Sequence, residues 1–196
     1  MFQNSQTRHN KKPPLLKGVA CLSADRGEAS FFLIMTQKTL IRKGTPADIP
    51  AMMRLVRELA EYEKSAHEVE NTEARMLADG FGENPIYGLI VAESEGEITG
   101  IAVYYFRYST WKGKRLYLED IVVTESQRGK GIGRLLFDVT MRVSMETGCS
   151  GMLWQVLEWN APAIHFYEKY DAHFDGEWIN CSLSRAEIEA KTPQLW

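Results

Sequence analysis

Cysteine is scarce in this chain, and what there is does not pair. Cys21, Cys149 and Cys181 are odd in number and show no CxxC spacing, which argues against a disulfide framework and against a thiolate metal cluster. Histidine supplies no metal site either: His9, His67, His165 and His173 form no HxxxH-type ligand pair, so no metal is expected. Charge of one sign is also lacking. With 23 Lys and Arg against 26 Asp and Glu, mixed along most of the sequence, there is no broad basic surface of the kind that nucleic acid needs. No apolar run approaches the roughly 20 residues that cross a bilayer, and the polar start, Met1 to Lys12, lacks the layout of a signal peptide. The expectation is a cytoplasmic protein with neither a nucleic-acid nor a membrane partner. At 196 residues the chain can bury one good core and is short for two domains.

Regular patterning begins late. Residues 1–35 mix charges, Pro13-Pro14 and an apolar patch, Phe31 to Met35, without sustained periodicity. They read as a poorly ordered extension before a single domain over 36–196, and Met35 is a candidate natural start. Thr39 to Lys43 reads as a strand. In Thr45-Pro46-Ala47-Asp48, a capping Thr, a Pro in the first turn and an acid three residues after the cap announce a helix to about Tyr62. Its apolar stripe is Ile49, Met52, Met53, Val56, Leu59 and Ala60. A shorter helix follows Thr72 and stops near Gly80. Strands over Tyr87 to Glu93 and Glu97 to Arg107 flank the turn Ser94-Glu95-Gly96, and a long loop, Tyr108 to Lys114, carries Trp111. Leu116 to Val123 reads as a strand. Gly133 to Thr147 reads as a helix striped by Ile132, Leu135, Leu136, Val139 and Val143 and closed by Gly148. A strand over Met152 to Leu157, a helix capped by Asn160, a last strand over Phe174 to Leu183 and a turn of helix after Ser184 complete the pattern. This alternation implies an α/β domain around a mixed sheet.

Between the strand ending at Val123 and the helix lies Arg128-Gly129-Lys130-Gly131-Ile132-Gly133. Three alternating glycines let backbone N–H groups approach a bulky anion, and the following helix adds unsatisfied N–H groups and a positive dipole end. The junction is suited to phosphate or pyrophosphate. A dinucleotide fingerprint needs GxGxxG and an acid about 20 residues on, but the spacing here is GxGxG and Met152 to Gln155 has no acid. A P-loop needs GxxxxGK followed by Ser or Thr, and neither Gly113-Lys114-Arg115 nor Gly129-Lys130-Gly131 supplies it.

What remains, Gln/Arg-x-x-Gly-x-Gly/Ala before an amphipathic helix, resembles the pyrophosphate loop of the GNAT N-acetyltransferases. Further segments are similar to the diamine (spermidine/spermine) N-acetyltransferase branch: Glu58 to Glu63, Asp79 to Glu83, Tyr104-Tyr105-Phe106, Leu116 to Asp120, Glu158-Trp159-Asn160 and Phe166-Tyr167. The similarity covers about Leu40 to Ile188. It implies a central mixed, mostly antiparallel sheet flanked by helices, with strands splayed at the acetyl-CoA site, and a homodimer. It implies acetyl-CoA as donor, its pyrophosphate on Arg128, Gly129, Lys130, Gly131, Ile132, Gly133 and Arg134. The pantetheine arm would run along Ile121, Val122 and Val123, where the strand bulges and one N–H faces the oxyanion, and would rest against Leu153, Trp154 and Gln155. Asn160 and Ala163 are expected to touch the donor as well.

The resemblance also assigns the chemistry. Acetyl transfer needs a free amine, yet alkylamines stay protonated to a pKa of about 10.4, so a base is required; Glu119 takes that role and Tyr167 protonates the leaving thiolate as general acid. Tyr62, Glu63, Trp111, Glu119, Asp120 and Glu177 would form an acidic, aromatic-edged channel for a small polycationic amine. A lysine-like amino acid or a protein amino group is the alternative acceptor, and a non-catalytic acyl-CoA-binding module the alternative of another class. Neither Cys149 nor Cys181 reads as an activated nucleophile, which favours direct transfer. The chain departs from the branch at Ser109, where an acid is common, and at Asp171, where a glycine is common; Asp tolerates the left-handed conformation of a helix end.

Overall fold

The computed structural model describes residues 20–22, 33–35 and 38–191, so most of the expected N-terminal extension lies outside the described residues. The chain forms two compact units, Met1–Gln155 and Val156–Trp196.

The first unit holds a seven-stranded sheet whose spatial order follows the sequence: β1 (Ala20–Leu22), β2 (Leu33–Met35), β3 (Thr39–Lys43), β4 (Gly88–Ser94), β5 (Glu97–Ser109), β6 (Gly113–Val123) and β7 (Met152–Leu153). Every neighbouring pair is antiparallel except β6 and β7. The exception follows from connectivity, because parallel neighbours need a crossover, and α3 (Ile132–Glu146) lies between these two strands in sequence. Hairpin turns join β4 to β5 and β5 to β6, whereas two helices lie between β3 and β4 in sequence. Glu95 and Gly96 both have positive φ, 54° and 84°, as a two-residue turn matched to strand twist requires.

The β5–β6 turn is tighter than the sequence suggests. Strand pairing runs to Ser109↔Gly113, and the expected long loop shrinks to residues 110–112 because the Ser109 Oγ accepts from the N–H groups of Trp111 and Lys112 at 3.3 and 3.2 Å.

Two helices pack on one face of the sheet. Before α1 (Ile49–Tyr62), Thr45 and Asp48 form a capping box around a 3-10 turn, Pro46–Asp48. Asp48 also takes a bidentate pair from Arg42 at 2.7 and 2.8 Å, and this guanidinium holds its carboxyl below the ordinary range. Thr72 caps α2 (Glu73–Phe81) by accepting from the Arg75 N–H at 3.3 Å. The core beneath joins Ile49, Met52, Met53 and Leu55 of α1 and Met76 of α2 to Leu89, Val91, Ile101, Val103 and Val122 of the sheet. Leu55, outside the stripe read from sequence, is fully buried, a contribution of roughly 2 kcal/mol. Helix α3 covers the other face: a Cβ on Gly100 would stand 3.1 Å from Leu136 and 3.4 Å from Ile132. Its buried side also takes Phe137 and Thr140, whose hydroxyl donates to the Leu136 carbonyl at 2.8 Å. Helices on both faces of a mixed, mostly antiparallel sheet match the expected architecture.

The second unit holds α4 (Ala161–Glu168) and α5 (Arg185–Lys191). The Asn160 side chain caps α4 by accepting from the Ala163 N–H at 3.3 Å, and Asp171 ends the following turn with φ 53°. Ser184 and Glu187 cap α5 reciprocally. The strand expected over Phe174 to Leu183 is absent: residues 172–184 carry neither helix nor strand. Asp175 there accepts from the Glu177 N–H at 3.0 Å, a local bond that competes with a ladder.

Candidate active site

The glycine segment is shaped as an anion cradle. Gly129 and Gly131 have φ of 76° and 82°, and a Cβ built on either meets no atom within 4 Å. These glycines are therefore required by backbone conformation rather than by crowding. Among the described residues the N–H groups of Gly129, Lys130, Gly131, Ile132 and Gly133 have no acceptor within the protein. Five such donors sit at the positive end of a 15-residue helix. Around them, Arg128 donates to the Val123 carbonyl at 3.0 Å and stands 5.2 Å over the Tyr62 ring, and Lys130 donates to Gln127 at 2.7 Å. Arg134 pairs with Asp138 at 3.6 Å on the exposed side of α3. The residues fit a pyrophosphate.

Strand β6, which leads into this loop, has two irregularities. Its pairing with β7 ends at Tyr117↔Leu153, although β6 continues to Val123. From Leu118 onward that edge of β6 has no strand beside it among the described residues, as a splayed sheet requires, and the expected strand over Met152 to Leu157 is only two residues long. Of the residues expected along a donor arm, Val122 is buried, Ile121, Val123 and Leu153 are half-buried, and Gln155 is exposed. Trp154 packs edge-on to Phe137 at 5.2 Å.

The second irregularity lies on the β5 side. Tyr104 faces Leu118 and Val103 faces Asp120, so Glu119 is an extra residue, a β-bulge. The bulge was expected at Ile121 to Val123 and falls before them. Its effect is a change of phase: unbroken alternation would put Tyr117 and Asp120 on opposite faces, whereas here both lie on the α1 side of the sheet. There Asp120 meets Glu63, just past the end of α1. Burial first, then the charges of Glu119 and Glu63, push the Asp120 carboxyl up to about 6. Burial also raises the Glu63 carboxyl. The structure thus brings Glu63, Glu119 and Asp120 together, and Tyr62 stands one residue away beneath Arg128.

Other predicted residues lie elsewhere. Trp111 is 87% exposed at the tip of the β5–β6 hairpin, roughly 20 Å along the strand from Glu119 at about 3.4 Å per residue. Tyr167, Asn160, Ala163 and Glu177 belong to the second unit. Tyr167 is buried on α4 with Phe166 at 5.2 Å, and burial pushes its phenol up to about 12. A phenol so placed stays protonated at neutral pH, the form a general acid needs.

Two features escape motif reading. The Glu58 carboxylate accepts from the Thr124 hydroxyl at 2.9 Å and from the Glu125 N–H at 2.7 Å, tying α1 to the segment that precedes the glycine segment. Tyr105 and Tyr117 pair across the strands with ring centroids 5.1 Å apart. Two-residue alternation from Glu119 back to Tyr117 was the available signal for the second.

Comparison with known proteins identifies the family. The sequence model of the Acetyltransferase (GNAT) family matches residues 50–172. Thialysine N-epsilon-acetyltransferase of Mus musculus is 43% identical over 138 residues, 66% of this chain and 81% of that protein. Spermidine/spermine N(1)-acetyltransferase-like protein 1 of Homo sapiens is 39% identical over 134 residues, 65% of this chain and 19% of that protein. Among solved structures, an aminoglycoside N-acetyltransferase in complex with CoA is similar in fold, with TM-score 0.59 and 18% identity over 75% of this chain and 95% of that one. The chain belongs to the GNAT family of acetyltransferases.

Proposed function

We propose that the protein transfers the acetyl group of acetyl-CoA directly to the primary amine of a small cationic acceptor, the class that includes diamines, polyamines and lysine analogues. The observation that carries this reading is the bulge at Glu119: it puts a carboxylate cluster on the same strand that leads into the phosphate loop. Acetyl-CoA supplies the thioester, and its pyrophosphate fits the free N–H groups of Gly129 to Gly133. The carboxylates attract the ammonium group, and Glu119 takes its proton. The free amine then attacks the acetyl carbon, the C–S bond breaks, the Tyr167 hydroxyl gives its proton to the departing thiolate, and the second proton of the acylated nitrogen passes through solvent to restore the phenol.

The acid cluster favours a cationic acceptor, and the names of the two relatives, one a thialysine enzyme and one a spermidine/spermine-like protein, support the same class. A homodimer in the cytoplasm belongs to this reading on family resemblance, and sedimentation of the purified chain tests the dimer. A screen of diamines, polyamines, basic amino acids and lysine-containing peptides with acetyl-CoA, scored by kcat/KM, tests the function. Acetylation of peptides in preference to every small amine would refute the acceptor class.

A further inference from the structure

The glycine segment is joined to β6 by a short stem, the 3-10 turn Glu125–Gln127, which Arg128 follows directly. Thr124 stands at the cap position of this turn, yet its side chain makes no cap bond. A three-residue 3-10 turn holds itself weakly, because its hydrogen bonds are few and poorly aligned. What holds this one comes from α1. The Glu58 carboxylate takes the Thr124 hydroxyl at 2.9 Å and the Glu125 N–H at 2.7 Å, and so supplies from a distant helix the cap that the turn lacks locally.

Glu58 belongs to a strip of residues one helical turn apart, Arg54, Glu58 and Tyr62. Arg54 donates to the Ile98 carbonyl at 2.6 Å and lies 3.9 Å from Glu58, and Arg128 stands 5.2 Å over the Tyr62 ring. Beyond Glu125 the stem has little slack: the N–H groups of Gln127 and Arg128 bond back to the carbonyls of Thr124 and Glu125 at 2.9 and 3.1 Å, and Gly129 follows. A displacement of the turn is therefore passed on to the N–H groups of Gly129 to Gly133. The sign of the Glu58 charge is informative as well. A carboxylate bonded to the stem of an anion-binding segment repels the anion, so attraction does not explain its place there and geometry does.

We infer that Glu58 is a positioning residue for the donor: by capping the stem from α1, it fixes the direction in which the glycine segment presents its N–H groups to the pyrophosphate. This rests on the transferase reading above, in which that segment holds acetyl-CoA. The hydroxyl of Thr124 and the N–H of Glu125 are the two groups through which Glu58 acts. A glutamine can serve both, since its carbonyl accepts from the N–H and its amide donates to the hydroxyl oxygen; an alanine can serve neither.

The test compares Glu58→Ala, Glu58→Gln and Thr124→Val in the full chain. Thr72→Ala is the control, a lost cap on α2 that also costs stability but makes no bond to the stem. Calorimetric titration with CoA, without any amine, gives Kd; initial rates with the best acceptor of the screen give KM for acetyl-CoA and kcat. Glu58→Ala should raise Kd and KM about tenfold, as the loss of charge-assisted hydrogen bonds implies, with kcat at saturating acetyl-CoA within about threefold of wild type. Glu58→Gln should recover most of the affinity. Thr124→Val should show part of the loss, and the double variant with Glu58→Ala less than the sum of the two. Thr72→Ala should lower Tm and leave Kd within about twofold. If Glu58→Ala does not fold, Glu58→Gln and Thr124→Val against Thr72→Ala still decide: a Kd that Thr124→Val does not move overturns the inference. So does an unchanged Kd in a folded Glu58→Ala, which makes the contact purely structural, or tighter CoA binding by both Glu58 variants, which leaves repulsion as its only effect. CoA binding that responds as expected in a wild type that acetylates no amine refutes the transferase reading and spares the positioning role; a wild type that does not bind CoA refutes both.

Discussion

Gly131→Ala separates backbone strain from ligand binding, provided that it is read beside Gly96→Ala. Both glycines have φ above 80°, and at neither does a Cβ meet an atom within 4 Å. The stability cost of each substitution is therefore the left-handed penalty alone, about 1–2 kcal/mol. For a chain of this length that lowers Tm by roughly 3–6 °C. The two positions differ in their proposed function: Gly96 closes the β4–β5 turn, whereas Gly131 aims the N–H groups of the loop proposed to hold pyrophosphate. If alanine relaxes that loop and misdirects one or two charge-assisted hydrogen bonds, at about 1.5–3 kcal/mol each, CoA affinity falls at least about tenfold. Thermal unfolding and calorimetric titration with CoA measure the two effects on the same samples. The reasoning predicts similar losses of Tm and a loss of CoA affinity for Gly131→Ala alone. Unaltered CoA binding by Gly131→Ala with the expected loss of Tm would refute the assignment of the loop.

Three further outcomes follow from the described contacts. Tyr167→Phe keeps the ring and removes the proton, so kcat should fall by about 10²- to 10⁴-fold while the Kd for CoA stays within about twofold; unchanged turnover removes Tyr167 from the mechanism. The Asp120 carboxyl is pushed up from 3.8 to about 6, so the folded state holds more protons than the unfolded state between those values and stability falls as pH rises through them. Asp120→Asn should therefore gain up to about 3 kcal/mol at pH 7.5 and nothing at pH 4, as denaturant titration at the two pH values would show, while losing acceptor kcat/KM. The Asp48 carboxyl is held low by Arg42, so its contribution is present above the unfolded carboxylate range and lost as pH falls through the lower folded value. Asp48→Ala should cost about 3 kcal/mol at pH 7, a difference from wild type that narrows in acid.

Elements specified by neighbouring residues were legible in the sequence. Thr45, Pro46 and Asp48 announced α1, Thr72 announced α2, and Asn160 announced α4, because each cap is made by side chains within three positions of the helix start. Features that depend on distant partners were not. The two-residue length of β7 reflects where β6 and β7 part, and no local pattern in Met152 to Leu157 encodes that separation. The run from Phe174 to Leu183 has strand-forming residues, but a strand needs a ladder neighbour, and the Asp175 side chain offers the backbone a local alternative. At the site, the glycine segment was readable from spacing alone. The bulge at Glu119 was not, because it is a mismatch of register between two strands, and it alone brings Asp120 to Glu63.

The most direct test of the central claim is thiol release from acetyl-CoA by the purified chain, followed with and without a small cationic amine and paired with mass analysis of the amine. Release that depends on the amine, matched mole for mole by an N-acetylated product and reduced at least about hundredfold by Glu119→Gln, is the predicted result. Tight CoA binding with no amine-dependent thiol release from any acceptor would contradict it and leave the chain an acyl-CoA-binding module.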